Sequence, residues 1–418
     1  MNRITVDKIS VLGNRIEYEY SVSGEWQEAF RLEERFFVEY SRDVSTVPAS
    51  IAVIPLLANL LPMSWVYDAE IVVPECDRDF YESIPEFKRG YEEMYPMLSL
   101  GGRLLAKEIV DAEPRGGERA AVFFSGGVDA FNTLVCHMDE NPCLITVWGA
   151  DIKLSDEVGW ERVLQHLGQV REEFSVDCYT VRSSFRLFLS EGILSRRVAA
   201  SGDGWWHGFQ HGVGMYAMSA PLAYLLGLRR VYFASTYTIA DKGIVPCASD
   251  PTIDNYVRFC GAAVCHDGYE LTRQEKIGNI TAFATERDKR IPLRVCWVSS
   301  GGSNCCRCEK CWRTILGILA EGKDPHEYGF DYTDAHGISF YKALRNPGSL
   351  HTRATYAAIQ DRMRVNIPKE QLPSSVRWFY GFNVEKVGVF PLYRKLYHKT
   401  RALVARAKRW VLGKGRKG

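Results

Sequence analysis

Two stretches of this 418-residue chain carry residue types whose spacing can do chemistry. The first runs Phe123-Phe124-Ser125-Gly126-Gly127-Val128-Asp129-Ala130, an apolar segment that ends in Ser-Gly-Gly and passes through an acid into a helical pattern. Two glycines directly after a buried strand let the backbone turn sharply and approach a ligand without Cβ interference. The start of the next helix then offers unsatisfied N–H groups to an anion. Ser125 adds a hydroxyl donor, and Asp129 in the first helical turn can hold Mg2+ or orient phosphate-bound water. An ordinary strand-to-helix turn is the competing reading. The stretch has neither the Gly-Lys-Ser/Thr ending of a Walker loop nor the three spaced glycines of a dinucleotide fingerprint.

The second stretch, VCWVSSGGSNCCRCEKCWRT, spans residues 295–314. Cys296, Cys305, Cys308 and Cys311 are spaced to close a tetrahedral thiolate site, the preferred surrounding of structural Zn2+. Arg307, Lys310 and Arg313 would offset the charge of four thiolates. An iron–sulfur cluster also accepts four cysteines, and either group would leave no open position for activating water.

The Ser125–Ala130 stretch resembles the S-G-G-x-D-S loop of the PP-loop ATP pyrophosphatases, with Ala130 in place of the last Ser. The cysteine spacing is similar to the C-x8-C-G-x-C-x2-C cluster of one branch of that superfamily, the 7-cyano-7-deazaguanine synthases, with Cys306 where that Gly stands. The resemblance covers roughly residues 118–325. It implies a PP-loop type fold, ATP with Mg2+ at Ser125, Gly126, Gly127, Val128 and Asp129, Asp129 as the catalytic residue near the Mg2+, and Zn2+ on the four cysteines. The implied reaction adenylates a carboxylate or amide oxygen, releases pyrophosphate, and lets a nitrogen nucleophile displace AMP to give an amide or nitrile. Its partners would be a small-molecule acid, 7-deazaguanine-like in that branch, and an amine or ammonia. Members of that branch are shorter chains without the flanking regions found here. A PP-loop sulfurtransferase, for which Cys136 and Cys143 are the candidate pair and Cys136 is expected to face the core, is one alternative. A catalytically silent scaffold, suggested by Ala130, is another.

The elements expected to position these groups belong to an α/β fold with a doubly wound parallel sheet. Apolar strands at 120–124, 143–149, 177–183 and 230–236 alternate with amphipathic helical patterns at 128–138, 155–174 and 215–228, so ligands are expected at strand C-terminal ends. Trp148 ends the second strand and is expected on the adenosine side, although a core Trp fits equally well. Ser235 and Thr236 follow the last of these strands. Ser249, Asp250, Asp254, Asp267, Glu275 and Lys276 add polar density suited to an acceptor pocket, with solvated or capping roles as the alternative. His207 and His211, in WWHGFQHG, would share a helix face, but two glycines weaken the helix and a substrate-side loop is favoured over a metal site.

Residues 1–115 read as a separate α+β domain of unknown role, opening with a hairpin and containing the short strand AEIVVPE. A Gly/Pro-rich connection at 112–119 marks the expected boundary. The PP-loop domain with its zinc cluster is expected at 116–325 and an unassigned extension at 326–385. The last part, 386–418, is a basic amphipathic tail. Net charge is +1 overall, yet Lys386 to Lys417 contains eleven Lys or Arg and no acid, leaving 1 − 11 = −10 for the first 385 residues. Such a tail suits an anionic membrane surface or a partner protein, and nucleic acid less well. Twelve cysteines without an apolar leader, and no uninterrupted apolar run long enough to span a bilayer, point to a reducing, cytoplasmic location with peripheral membrane attachment as an option.

Overall fold

The strands expected from apolar runs are present and belong to one larger sheet. The computed structural model describes residues 2–31, 33–113, 119–296, 302–344 and 353–386. The basic tail therefore lies outside the described residues apart from Lys386. Eleven described strands pair in a single sheet: β1 (Arg3–Leu12), β2 (Arg15–Ser23), β3 (Phe37–Tyr40), β4 (Glu70–Asp77), β5 (Arg103–Val110), β6 (Arg119–Phe123), β7 (Cys143–Trp148), β8 (Cys178–Ser183), β9 (Leu228–Ala234), β10 (Arg258–Phe259) and β11 (Ala262–Asp267). Their order is β10-β11-β9-β6-β7-β8-β3-β2-β1-β4-β5.

Within it β11, β9, β6, β7 and β8 form a continuous parallel block. Strands β6 and β7 are buried along almost their whole length, as a sheet covered on both faces requires. On one face the helices Val128–Cys136, Glu157–Phe174 and Arg273–Glu286 meet through Phe131, Phe174 and Phe283. Chain order moves outward from β6 to β7 and β8 on one side, then returns to β9 and β11 on the other. That reversal puts a switch point beyond the C-terminal ends of β6 and β9, the position where doubly wound sheets take ligands.

The sheet as a whole is mixed, which corrects the expectation of a purely parallel one. Strand β3 pairs antiparallel with β8 through Val38–Ser183, Glu39–Arg182 and Tyr40–Val181, so the sheet runs on into β2, β1, β4 and β5. The break expected near residue 115 is thus not a break in the structure. Residues Met1–Ser303 with Glu327–Gly329 form one unit. Helices Ile54–Val66 and Arg78–Met94 belong to the same buried apolar cluster as Phe123, Val181 and Phe209. Pro62 and Pro85 lie inside these helices. No described helix is long and apolar enough to cross a membrane.

Asn304–His326 with Phe330–Gly418 form the second unit, so the division falls at 303/304 and not after 325. The helix Glu309–Ala320 packs with Arg353–Asn366. Trp312 stacks on Phe340 at 5.0 Å, and Arg362 grips Glu321 at 2.8 Å.

Candidate functional site

Strand β6 delivers its chain into Phe124-Ser125-Gly126-Gly127, and the helix Val128–Cys136 starts at once. Gly126 has φ +77°, and a Cβ there would come within 2.6 Å of His166 Cε1. Only glycine fits that combination of left-handed backbone and close approach. The Gly127 N–H reaches Ser125 Oγ at 3.4 Å. His166 stacks on Phe124, donates from Nε2 to the Pro292 carbonyl at 2.6 Å, and is pushed down to a pKa of about 4, chiefly by burial.

Three cationic side chains gather on this turn. Arg273 donates to Asp129 Oδ2 at 3.1 Å, and Lys276 donates to Asp129 Oδ1 at 3.5 Å and to the Ser235 carbonyl at 2.6 Å. Lys276 thereby bridges the two strand ends at the switch point, Asp129 following β6 and Ser235 following β9. Its side chain is only 2% exposed, so the ammonium depends on these oxygens for solvation. From the other side Arg294 donates to the Ser125 carbonyl at 2.7 Å, and its own N–H bonds the Gly126 carbonyl at 2.7 Å. Asp151 acts electrostatically on Arg294. The result is a cation-lined turn with backbone N–H groups at a helix start, an arrangement suited to phosphate.

The other sequence candidates divide. Ser235 is buried, and its hydroxyl donates to the Tyr237 carbonyl at 2.6 Å; Thr236 is exposed. Trp148 stacks on Trp160 at 5.2 Å and donates to the Lys153 carbonyl, so its ring has a protein partner already. Ser249 and His266 both bond Asp254 Oδ2 at 2.8 Å, while Tyr216 donates to Oδ1. With Asp254 fully buried, this is an interior polar cluster. Asp250 caps the short turn after it by accepting from Thr252, and Glu275 forms a capping box with Thr272. Asp267 accepts from Thr133 and faces His137 at 2.9 Å. Burial opposes charge on both, yet their mutual bond keeps Asp267 below and His137 above the usual range. Arg273 and Arg294 were not singled out from sequence, and the only signal available was a positive charge near a capping motif and near the first cysteine.

The four cysteines meet as expected: one sulfur from each of Cys296, Cys305, Cys308 and Cys311 lies within 4.8 Å of the others. The Cys305–Cys311 and Cys308–Cys311 sulfurs are 3.9 and 3.5 Å apart. A tetrahedron with Zn–S bonds of about 2.3 Å has edges of about 3.8 Å, so the set fits a metal ion such as zinc. The N–H groups of Arg307 and Cys308 point at Cys305 Sγ at 3.4 and 3.3 Å, which favours a thiolate there. Cys306 has φ +50° and its carbonyl accepts from Trp312 Nε1 at 2.9 Å. His207 and His211 join no such ligand group among the described residues.

No protein-family model matches this chain, and no curated protein matches it either.

Proposed function

We propose that the protein is an ATP-dependent ligase of PP-loop type, which adenylates a carboxylate or amide oxygen with pyrophosphate release and then passes the activated group to a nitrogen nucleophile. The observation that carries this reading is the convergence of Arg273, Lys276 and Arg294 on a Ser-Gly-Gly turn whose Gly126 has φ +77°. Backbone N–H groups at the start of the helix would hold the phosphates, and the cations would offset charge as pyrophosphate leaves. Asp129 would keep Arg273 and Lys276 beside the turn and take Mg2+ when the nucleotide enters. Zinc on the four cysteines would be structural.

The sulfur-transfer alternative has less support. Cys136 is exposed at the far end of the loop helix, not turned into the core as expected, and Cys143 is buried at the start of β7, the end opposite the turn. Ala130 is buried, so the missing hydroxyl removes one bond worth about 0.5–1.5 kcal/mol and leaves the backbone donors intact.

ATP with Mg2+ should raise the melting temperature in a concentration-dependent way, by the equivalent of about 2.7 kcal/mol at a hundredfold excess over Kd. The Lys276→Met variant should lose that shift. Absence of any shift in the native protein at millimolar ATP would remove the proposal's basis.

A further inference from the structure

The WWHGFQHG stretch, left without a role above, folds as a π-helical turn over Trp206–Gln210, a geometry often found at functional sites. It places His207 between two oxygens. Nδ1 lies 2.8 Å from Asp203 Oδ2, and Nε2 lies 3.1 Å from the Tyr237 hydroxyl. A carboxylate only accepts, so Nδ1 carries the proton, and in the neutral ring Nε2 is the nitrogen that offers a lone pair. Asp203 is itself fixed, accepting from the Gly204 N–H at 2.7 Å and from the Tyr95 hydroxyl at 3.2 Å. Gly208 is required for this: a Cβ there would sit 2.6 Å from Tyr95 Oη and 2.9 Å from Asp203 Oδ2. The histidine side chain remains 40% exposed, and a nucleophile can reach it.

Its location connects it to the phosphate turn. Tyr237 lies two residues beyond Ser235, whose carbonyl anchors Lys276 and whose hydroxyl bonds the Tyr237 carbonyl. The π-helical turn is braced from behind by the first hundred residues. Tyr91 donates to the Phe209 carbonyl, Tyr95 stacks on Phe209 at 4.7 Å, and Asn59 accepts from Gln210 and donates to the Gly214 carbonyl.

We propose that His207, oriented by Asp203, is the general base for the nitrogen nucleophile. This rests on the adenylation reading. The nitrogen attacks the acyl carbon and forms the C–N bond as the bond from that carbon to the adenylate oxygen breaks. AMP departs with the electron pair; before the attack, ammonium that has displaced the Tyr237 hydroxyl gives one proton to His207 Nε2, which frees its lone pair, and after it the new amide nitrogen sheds its second proton to water. The N-terminal stretch thereby acquires a function: through Tyr95 it holds the carboxylate that orients the base.

The test compares two nucleophiles with 7-deazaguanine-7-carboxylate as the acid and Mg-ATP. Ammonium must lose a proton to react near neutrality, whereas hydroxylamine is already unprotonated. In His207→Gln, the ratio of ammonium-dependent to hydroxylamine-dependent product should fall about 100-fold, the lower range of general-base contributions. Asp203→Asn, which keeps the shape but removes the orienting charge, should lower the same ratio by about tenfold or more. An unchanged ratio in both variants would overturn the assignment of the base while the ligase reading stood. Absence of the ATP-dependent melting shift in the native protein would instead overturn the ligase reading, and the base assignment with it.

Discussion

Cys306 is a buried cysteine held at φ +50°, a left-handed conformation that costs a side-chain-bearing residue about 1–2 kcal/mol. A glycine would take up that backbone without the strain. Cys306→Gly should therefore keep its metal, while Cys311→Ser should lose it; elemental analysis of the purified proteins would measure both. A second consequence at this scale concerns His166. Its folded pKa of about 4 lies below the ordinary histidine value of 6.5, so between those values the unfolded chain binds the extra proton. Stability from this group is complete above about pH 6.5 and declines as pH falls toward 4. Denaturant titrations across that window should show the decline in the native protein and a flatter profile in His166→Gln.

At the scale of elements, the turn and the cysteine cluster were legible because each is local in sequence and its chemistry needs particular residue types close together. The buried parallel strands were legible for the same reason, as unbroken apolar runs. What escaped was non-local. Arg273 reaches Asp129 across 144 residues and Arg294 reaches Ser125 across 169, and no spacing rule links them. Strand β3 has four residues, and β5 lacks a clean alternation because it lies at a sheet edge. Strand β11 ends in His266 and Asp267, whose polarity made it read as loop. Missing β3 hid the β3–β8 pairing, and with it the fusion of the expected N-terminal domain to the rest. A chain beginning at residue 116 should consequently fail to fold, since it exposes the β8 edge and loses the bonds from Tyr40 to the Met218 carbonyl and from Tyr91 to the Phe209 carbonyl. Circular dichroism and solubility of that fragment would check this, and a folded, soluble fragment would refute it.

For the whole molecule, one sheet places the Ser-Gly-Gly turn at its switch point, and the bonds among Lys276, Ser235, Tyr237 and His207 link the His207 turn to it. A chain with −10 charge in its first 385 residues carries eleven Lys or Arg among residues 386–418, which we propose attach the protein to an anionic surface or partner. The central claim, however, is the activation of an acid by ATP, and the fate of an oxygen atom tests it directly. With both carboxylate oxygens of the acid labelled with 18O, adenylation must leave one labelled oxygen in AMP when nitrogen displaces it. The account predicts labelled AMP with unlabelled pyrophosphate. Label in inorganic phosphate with ADP as the other product, or no consumption of ATP, would contradict it.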